Sequence, residues 1–215
     1  MGTSGVSKNS PPVRCQKCRD RGHVPGPNGV VRCECLLGEM SRASLLSSGI
    51  SETIASMPIS EIEKPIHAKM REFLSETTPG DLWVIAPRIS EIRERVLAYA
   101  VRRSGASASG GLSLSRLIDS RFDRDDKAVV DKIVGSEGVL IFRIDDVGDH
   151  KKIPSVIEEV IGVRSGARAR TIYVSSVSIV NHSGRYGPHA CRFFGEFKRS
   201  IALKSGLVVR FRAFK

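Results

Sequence analysis

Short apolar runs alternate with helical stripes through the second half of the chain. The runs at 82–86, 138–144 and 171–175 have the length and the polar flanks of buried strands. Between them, apolar residues recur at three- and four-residue intervals over 89–100 and 154–161, which predicts helices. Strands separated by helices indicate βαβ units. The pattern therefore predicts an α/β fold with a largely parallel sheet flanked by helices.

The other elements are predicted from shorter patterns. The stretch 104–111, rich in Ser, Gly and Ala, is expected to be a loop. Residues 207–214 alternate apolar and basic side chains, which predicts a closing half-buried strand with Arg210 and Arg212 on its solvent side. Five further helices are predicted, over 36–48 with Gly49 as the stop, from Pro65 to about 77, and over 114–122, 126–134 and 190–203.

Composition divides the chain into four parts. Residues 1–12, rich in Ser, Gly and Pro, are expected to form a disordered arm, and 13–49 a small cysteine-bearing lobe. Residues 50–80 are expected to be a linker with a helix, and 81–215 the α/β domain. No apolar run approaches the ~18 residues of a membrane span, and the amino terminus lacks a signal-peptide pattern. We therefore expect a soluble, cytoplasmic protein with no membrane contact.

Four of the five cysteines lie within 21 residues, in the spacing C-x2-C followed by C-x-C. Two such close pairs supply the four thiolates that a tetrahedral zinc ion takes. The loop between them is rich in turn residues and forms no core, so zinc is the predicted cofactor that holds this lobe together. A shell in which His23 replaces one thiolate, and a disulfide framework, are the alternatives. Cys191 lies beside Phe193 and Phe194 and is expected to be a small buried hydrophobe. The predicted zinc ligands are Cys15, Cys18, Cys33 and Cys35.

Positive charge is concentrated at the end of the chain. The net charge is +11, and residues 161–215 hold 11 Lys and Arg residues against a single acidic one, Glu196. So many uncompensated charges favour a polyanionic partner, with backbone phosphates as the main target. Tyr186, Phe193 and Phe194 are candidates for base stacking, and for Phe193 and Phe194 the alternative is a place in the core. The candidate DNA-binding residues are Arg164, Arg168, Arg170, Arg185, Lys198, Arg199, Lys204, Arg210 and Arg212.

Ligands of α/β sheets bind at the carboxyl ends of the strands. One predicted strand ends at Asp145 and Asp146, an acidic pair of the kind that holds Mg²⁺ in a Walker B element, or that merely forms a solvated turn. Another strand ends at Ser175. The first strand should be followed by a phosphate cradle of the form G-x-x-x-x-G-K-[ST].

The stretch 86–93 departs from this cradle at every position that matters. Ala86 and Glu91 stand where the two glycines belong, and Ile92 and Arg93 replace the lysine and the hydroxyl residue. Glu91 would place a carboxylate near the phosphates, and without glycine the backbone loses the freedom for close approach. Arg88 and Arg93 could still attract a phosphate, but binding of ATP with Mg²⁺ is not expected.

Taken together, these segments resemble the DnaC/DnaI/IstB group of AAA+ proteins, the bacterial replicative-helicase loaders and their transposition relatives. The cysteine segment, with the helix that ends at 47–50, is similar to that family's zinc-bearing amino-terminal segment. Residues 139–148 (VLIFRIDDVG) resemble its Walker B strand, and 171–176 (TIYVSS) its sensor-1 strand. Arg164 stands where the family has an arginine before that strand. The resemblance implies a P-loop-NTPase-like (AAA+) sheet with a degenerate Walker A segment.

The resemblance also implies a function. It suggests a non-catalytic helicase-loader-like DNA replication accessory protein, a pseudo-ATPase that binds a replicative helicase and single-stranded DNA. One alternative is a transposition-type DNA-binding regulator. Another is a divergent ATPase that uses Asp145 and Asp146 on Mg²⁺. A third is an inhibitor that assembles with itself or with an ATP-competent loader homologue.

Overall fold

The computed structural model describes residues 15–19, 21, 23–26, 29–32, 42–75, 80–87, 90–103, 108–144, 150–202 and 206–214. The chain divides into two compact units, 1–40 and 41–215. The predicted boundary at residue 49 is therefore displaced, because Leu45 and Ile50 pack into the core of the second unit. The predicted arm, 1–12, lies outside the described residues.

The first unit contains an antiparallel hairpin. Its strands are β1 (His23–Gly26) and β2 (Gly29–Arg32), and His23 lies opposite Arg32. The hairpin reverses the chain between the two cysteine pairs of the sequence.

The second unit is built on a six-stranded sheet with the spatial order β4-β5-β6-β3-β8-β7. The strands β4, β5, β6 and β3 run parallel, whereas β8 is antiparallel to β3 and β7 is antiparallel to β8. This mostly parallel α/β sheet confirms the predicted fold class and is compatible with a P-loop-like fold. The strands are β3 (Gly80–Ile85), β4 (Ala108–Ser113), β5 (Val139–Arg143), β6 (Thr171–Ser175), β7 (Arg199–Ala202) and β8 (Val208–Ala213).

Helices cover both faces of the sheet, and alternate strand residues enter two separate cores. Leu82 and Val84 of β3 point to the first core, and Trp83 between them points to the second. The first core is closed by α1 (42–47), α2 (Glu52–Ser56), α3 (Ile59–Glu63), α4 (Ala68–Ser75) and α5 (Glu91–Arg103). The second is closed by α6 (Leu114–Asp119), α7 (Arg124–Val134), α8 (Ile153–Gly166), α9 (Ser183–Tyr186), α10 (Pro188–Gly195) and a 3₁₀ helix, Ile179–Asn181.

The segment predicted as a linker belongs to the domain. Arg102 of α5 donates hydrogen bonds to the carbonyl oxygens of Ala55 at 2.7 Å and Met57 at 2.6 Å. Glu94 accepts from the amide and the hydroxyl of Ser51, at 2.9 Å and 2.6 Å, at the start of α2. These contacts fix α2 and α3 on α5, so this part of the chain is not a hinge.

Two further predictions need correction. The glycine-rich stretch expected to be a loop contains β4, because Gly111 lets the strand lie against α1: a methyl group added there would come within 2.3 Å of the Ser48 Cα. The helix predicted over 190–203 ends at Gly195, and Arg199–Ala202 pairs with β8 instead.

Other sequence signals were correct. Gly49, with φ of +69°, ends α1 as predicted, and the amide of Ile50 donates back to the carbonyl of Leu45 at 3.0 Å. The predicted stripe on α4 is buried, including Met70 and Leu74. Within the described ranges, none of the helices combines the length and the apolar composition needed to cross a bilayer.

Candidate functional site

The connection from β3 to α5 occupies the position of the predicted phosphate cradle. The amide of Ala86 donates to the carbonyl of Ser175 at 3.0 Å, which extends the pairing of β3 with β6 by one residue. Arg93 is buried, with 6% of its surface exposed, and its guanidinium donates to the carbonyl of Pro87 at 3.3 Å. Its amide also lies 3.4 Å from the Ser90 hydroxyl. The buried guanidinium of Arg93 thus stabilises the backbone of this connection.

Glu91 lies on the outer surface of α5. Its side chain is 69% exposed and forms an ion pair with Arg95 at 2.6 Å, one helical turn further on. The predicted carboxylate is therefore engaged on the helix surface. Arg88, Asp145 and Asp146 lie outside the described residues, so their predicted roles stay predictions.

Ser175, at the carboxyl end of β6, is directed inward. Its hydroxyl accepts a hydrogen bond from the Trp83 indole at 2.8 Å and donates one to the Val177 carbonyl at 2.8 Å. The residue is fully buried. Both bonds are internal, so this hydroxyl serves the packing of β6 against β3.

The position of Arg164 contradicts its predicted role in DNA binding. It was expected to contact DNA, but only 1% of its surface is exposed. Its Nε donates to the Thr171 hydroxyl at 3.0 Å, and burial lowers the pKa of its guanidinium. Arg164 therefore stabilises the amino-terminal edge of the sheet and cannot reach a phosphate from there. Its remaining donors go to the carbonyls of Val134 (3.2 Å), Ser136, Gly138 (2.7 Å) and Arg170 (2.6 Å).

Contrary to the prediction, the arginines of β8 do not face solvent. Arg212 is 13% exposed, pairs with buried Asp81 at 2.6 Å and lies over the Phe193 ring at 4.2 Å. Arg210 lies over the Trp83 ring at 5.2 Å. Burial raises the pKa of the Asp81 carboxyl, and hydrogen bonds from Arg212 and the Thr171 amide oppose that rise. These contacts hold β8 antiparallel to β3.

Three of the predicted DNA contacts are exposed together at the amino-terminal edge of the sheet: Arg168, Lys198 and Arg199, hereafter the amino-edge patch. Arg168 precedes β6, Lys198 directly precedes β7, and Arg199 is the first residue of β7. Because β3 and β8 lie between β6 and β7, the patch spans three strand spacings, ~14 Å. Arg170 is half-buried beside it, and Lys204 lies outside the described residues.

The aromatic candidates for base stacking are core residues. Tyr186, Phe193 and Phe194 are 1%, 7% and 0% exposed. Phe194 packs at 4.7 Å from the Trp83 ring, between ring centroids. Cys191 is buried as predicted, and its thiol donates to the Ile179 carbonyl at 3.1 Å. The core interpretation of this stretch is confirmed.

In the first unit, Cys15 and Cys18 lie on a tight turn. The amide of Arg19 donates to the Cys15 carbonyl at 2.8 Å, and that of Arg21 to the Cys18 carbonyl at 3.1 Å. Cys18 is 5% exposed, and Cys15 is half-buried. Cys33 and Cys35 lie outside the described residues, and within the described part no three ligating side chains come together. Two cysteines on one tight turn fit half of a zinc shell.

A pocket at the carboxyl-terminal edge of the sheet was not predicted. It has a volume of about 420 Å³ and lies between the start of α8 and α9. Arg185, predicted to bind DNA, lies here and so at the opposite edge from the amino-edge patch. The cationic residues of the pocket come from two segments that lie more than thirty positions apart in the sequence, which is why no motif revealed the pocket. The lining residues are His150, Lys151, Ile153, Pro154, Gly184 and Arg185.

No family model, curated protein or solved structure matches the chain.

Proposed function

We propose that the protein is a helicase-loader-like replication accessory factor of AAA+ type that binds single-stranded DNA and a replicative helicase without normal ATP hydrolysis. The observation that carries the proposal is the buried Arg93, whose guanidinium donates to the Pro87 carbonyl inside the β3–α5 connection. A phosphate cradle needs backbone amides and a cation turned toward the ligand. Among the described residues of this connection, the Arg93 cation is directed at its own backbone.

The environment of Ser175 supports the same proposal. In the resemblance this residue belongs to the sensor-1 strand and to the degenerate nucleotide site, and the family's polar Asn after it is replaced by Ser176. Here its hydroxyl bonds to Trp83 and Val177 at 2.8 Å each. With its hydrogen bonds made internally, it contributes to packing in place of nucleotide contact.

The amino-edge patch is the proposed DNA-binding surface. Arg168, Lys198 and Arg199 are exposed at one edge of the sheet, at or just before the starts of two strands. Lysine and arginine in such an arrangement contact backbone phosphates irrespective of base sequence. Because the aromatic residues nearby are buried, binding depends on charge and should be strongly salt-dependent.

The cysteine-bearing unit is the proposed zinc site and helicase-binding part. Cys15 and Cys18 lie on one tight turn, which fits half of the shell. The hairpin that follows returns the chain to Arg32, directly before the second cysteine pair in sequence. Zinc at these four thiolates would stabilise a unit of this size, as structural zinc does in other small domains.

The proposal is tested by titrating a fluorescent 30-nucleotide single strand with the full-length protein over a series of salt concentrations. Replacing Arg168, Lys198 and Arg199 together by glutamine should weaken binding and reduce the salt slope by ~0.7 for each phosphate that the variant no longer neutralises. The control replaces Arg124, Lys127 and Lys132 of α7 by glutamine, which removes the same charge at exposed positions. Equal weakening of DNA binding in both triple variants would show that the amino-edge patch is not the DNA-binding surface.

The partner is tested by copurification with the replicative helicase of the source cell. Retention of the helicase by the wild type and by the amino-edge variant supports a loader-like factor, because the two surfaces are then separate. Absence of helicase binding together with preference for duplex over single-stranded DNA would instead favour a transposition-type regulator.

A further inference from the structure

The pocket between α8 and α9 is lined by cationic side chains from two distant segments. His150 and Lys151 precede α8, and Arg185 lies on α9. None of its lining residues within the described part of the chain is acidic. Three cationic or hydrogen-bonding groups that converge on one concavity recognise an anion.

The size of the pocket limits the anion. Its volume of about 420 Å³ lies within the ~300–1,000 Å³ typical of small-molecule sites. It is larger than an inorganic ion needs, and Ile153 and Pro154 supply an apolar wall beside the cations. A small phosphate-bearing molecule has the matching combination of a charged group and a less polar body.

The histidine is oriented by the backbone next to it. Its Nδ1 accepts a hydrogen bond from the Lys152 amide at 3.1 Å, so the neutral ring carries its proton on Nε2. The ring can therefore donate a hydrogen bond through Nε2 without first gaining a proton.

We propose that this pocket binds a small phosphate-bearing molecule through His150, Lys151 and Arg185. Among the described residues, the site shares no lining residue with the β3–α5 connection or the amino-edge patch, and it does not depend on the proposed DNA function. The ligand is held by charge and hydrogen bonds at one end and by the α8 wall at the other.

Gly184 makes the proposal testable without disturbing the fold. A methyl group added there would meet no atom within 4 Å, so a larger side chain fits at this lining position of the pocket without a clash. Gly166, at the end of α8, has equally open surroundings outside the pocket and is a matched control. Lys151 is exposed, so its replacement by glutamine removes charge without altering the core.

The experiment is calorimetric titration of the full-length protein with pyrophosphate, and separately with adenosine monophosphate, in magnesium-free buffer. We expect binding by the wild type and by Gly166→Leu, and at least tenfold weaker binding by Gly184→Leu and by Lys151→Gln. Tighter binding of the monophosphate would assign an organic phosphate, and tighter binding of pyrophosphate an inorganic one.

Three results would overturn the proposal. They are absence of binding by the wild type, unchanged affinity in Gly184→Leu, and displacement of pyrophosphate by a single-stranded oligonucleotide at matched phosphate concentration. The last would make the pocket part of a nucleic-acid surface. Loss of DNA binding in the amino-edge variant would not change the binding of phosphate compounds that is expected of the pocket. The two proposals can therefore be refuted independently.

Discussion

The Trp83 indole donates a 2.8 Å hydrogen bond to the Ser175 hydroxyl, and both side chains are fully buried between neighbouring parallel strands. Ser175 ends its strand at the edge of the sheet where α/β proteins bind their ligands. Its hydroxyl nevertheless forms its hydrogen bonds within the core. At the same edge, the Arg93 guanidinium donates a hydrogen bond to the backbone carbonyl of Pro87. Polar groups at the expected nucleotide site therefore stabilise the fold.

Replacing Ser175 by alanine should lower the free energy of unfolding by about 1–3 kcal/mol, because the buried Trp83 N–H loses its acceptor. The measurement is urea unfolding followed by tryptophan fluorescence, since Trp83 is the single tryptophan. Ser176→Ala, at the adjacent half-buried position, is the control and should change the stability by less than ~0.5 kcal/mol. Equal stability of the two variants would contradict the role assigned to Ser175.

Arg164 and Arg168 should separate stability from DNA affinity. Arg164→Gln leaves several buried carbonyls without donors and should destabilise the fold by roughly 3 kcal/mol or more. Arg168→Gln removes an exposed charge and should weaken DNA binding with little change in stability. Denaturant unfolding and DNA titration on both variants check this. Stable Arg164→Gln protein with reduced DNA affinity would restore Arg164 to the DNA-binding set.

The Asp81 carboxyl should make stability pH-dependent in a defined direction. Burial raises its pKa above the ordinary value of 3.8, so between the two values the folded state binds the proton that the unfolded state releases. Its contribution is present below pH 3.8 and is lost as the pH rises through the raised pKa. The free energy of unfolding of the wild type minus that of Asp81→Asn should therefore fall with rising pH. A difference that rises instead would mean that the Arg212 ion pair outweighs burial.

The zinc proposal predicts about one zinc ion per purified chain. Cys15→Ser should lose the metal and become sensitive to protease within residues 1–40, because structural zinc stabilises a unit of this size. Cys191→Ala changes a buried cysteine of the other unit and should keep its zinc. Metal analysis and limited proteolysis of both variants decide the matter. Full zinc content in Cys15→Ser would exclude Cys15 as a ligand.

Local signals in the sequence were sufficient for most elements of the core. The stop at Gly49 and the buried stripe of α4 follow from helix geometry alone, and apolar runs located β3, β5 and β6. The strand β4 was missed because its glycines look like a loop until Ser48 packs against Gly111. The pairing that makes Arg199–Ala202 a strand is likewise non-local.

The same limit applied to the charged residues. The excess of arginine near the carboxyl terminus predicted a basic surface, but sequence alone does not distinguish an exposed arginine from one that binds carbonyls in the interior. Arg164 and Arg212 are of the second kind, and their partners at Gly138 and Asp81 lie 26 and 131 positions away. The pocket around Arg185 was missed for the same reason, since it forms only when α8 and α9 meet.

The most direct test of the central claim is equilibrium binding of a fluorescent ATP analogue with Mg²⁺ beside a single-stranded DNA titration on one preparation. Both are run on the wild type and on Gly184→Leu, which adds a larger side chain at the lining of the α8–α9 pocket, the second route for phosphate. The account predicts DNA binding by both proteins and no nucleotide binding by Gly184→Leu. Nucleotide binding that persists in Gly184→Leu would contradict the account.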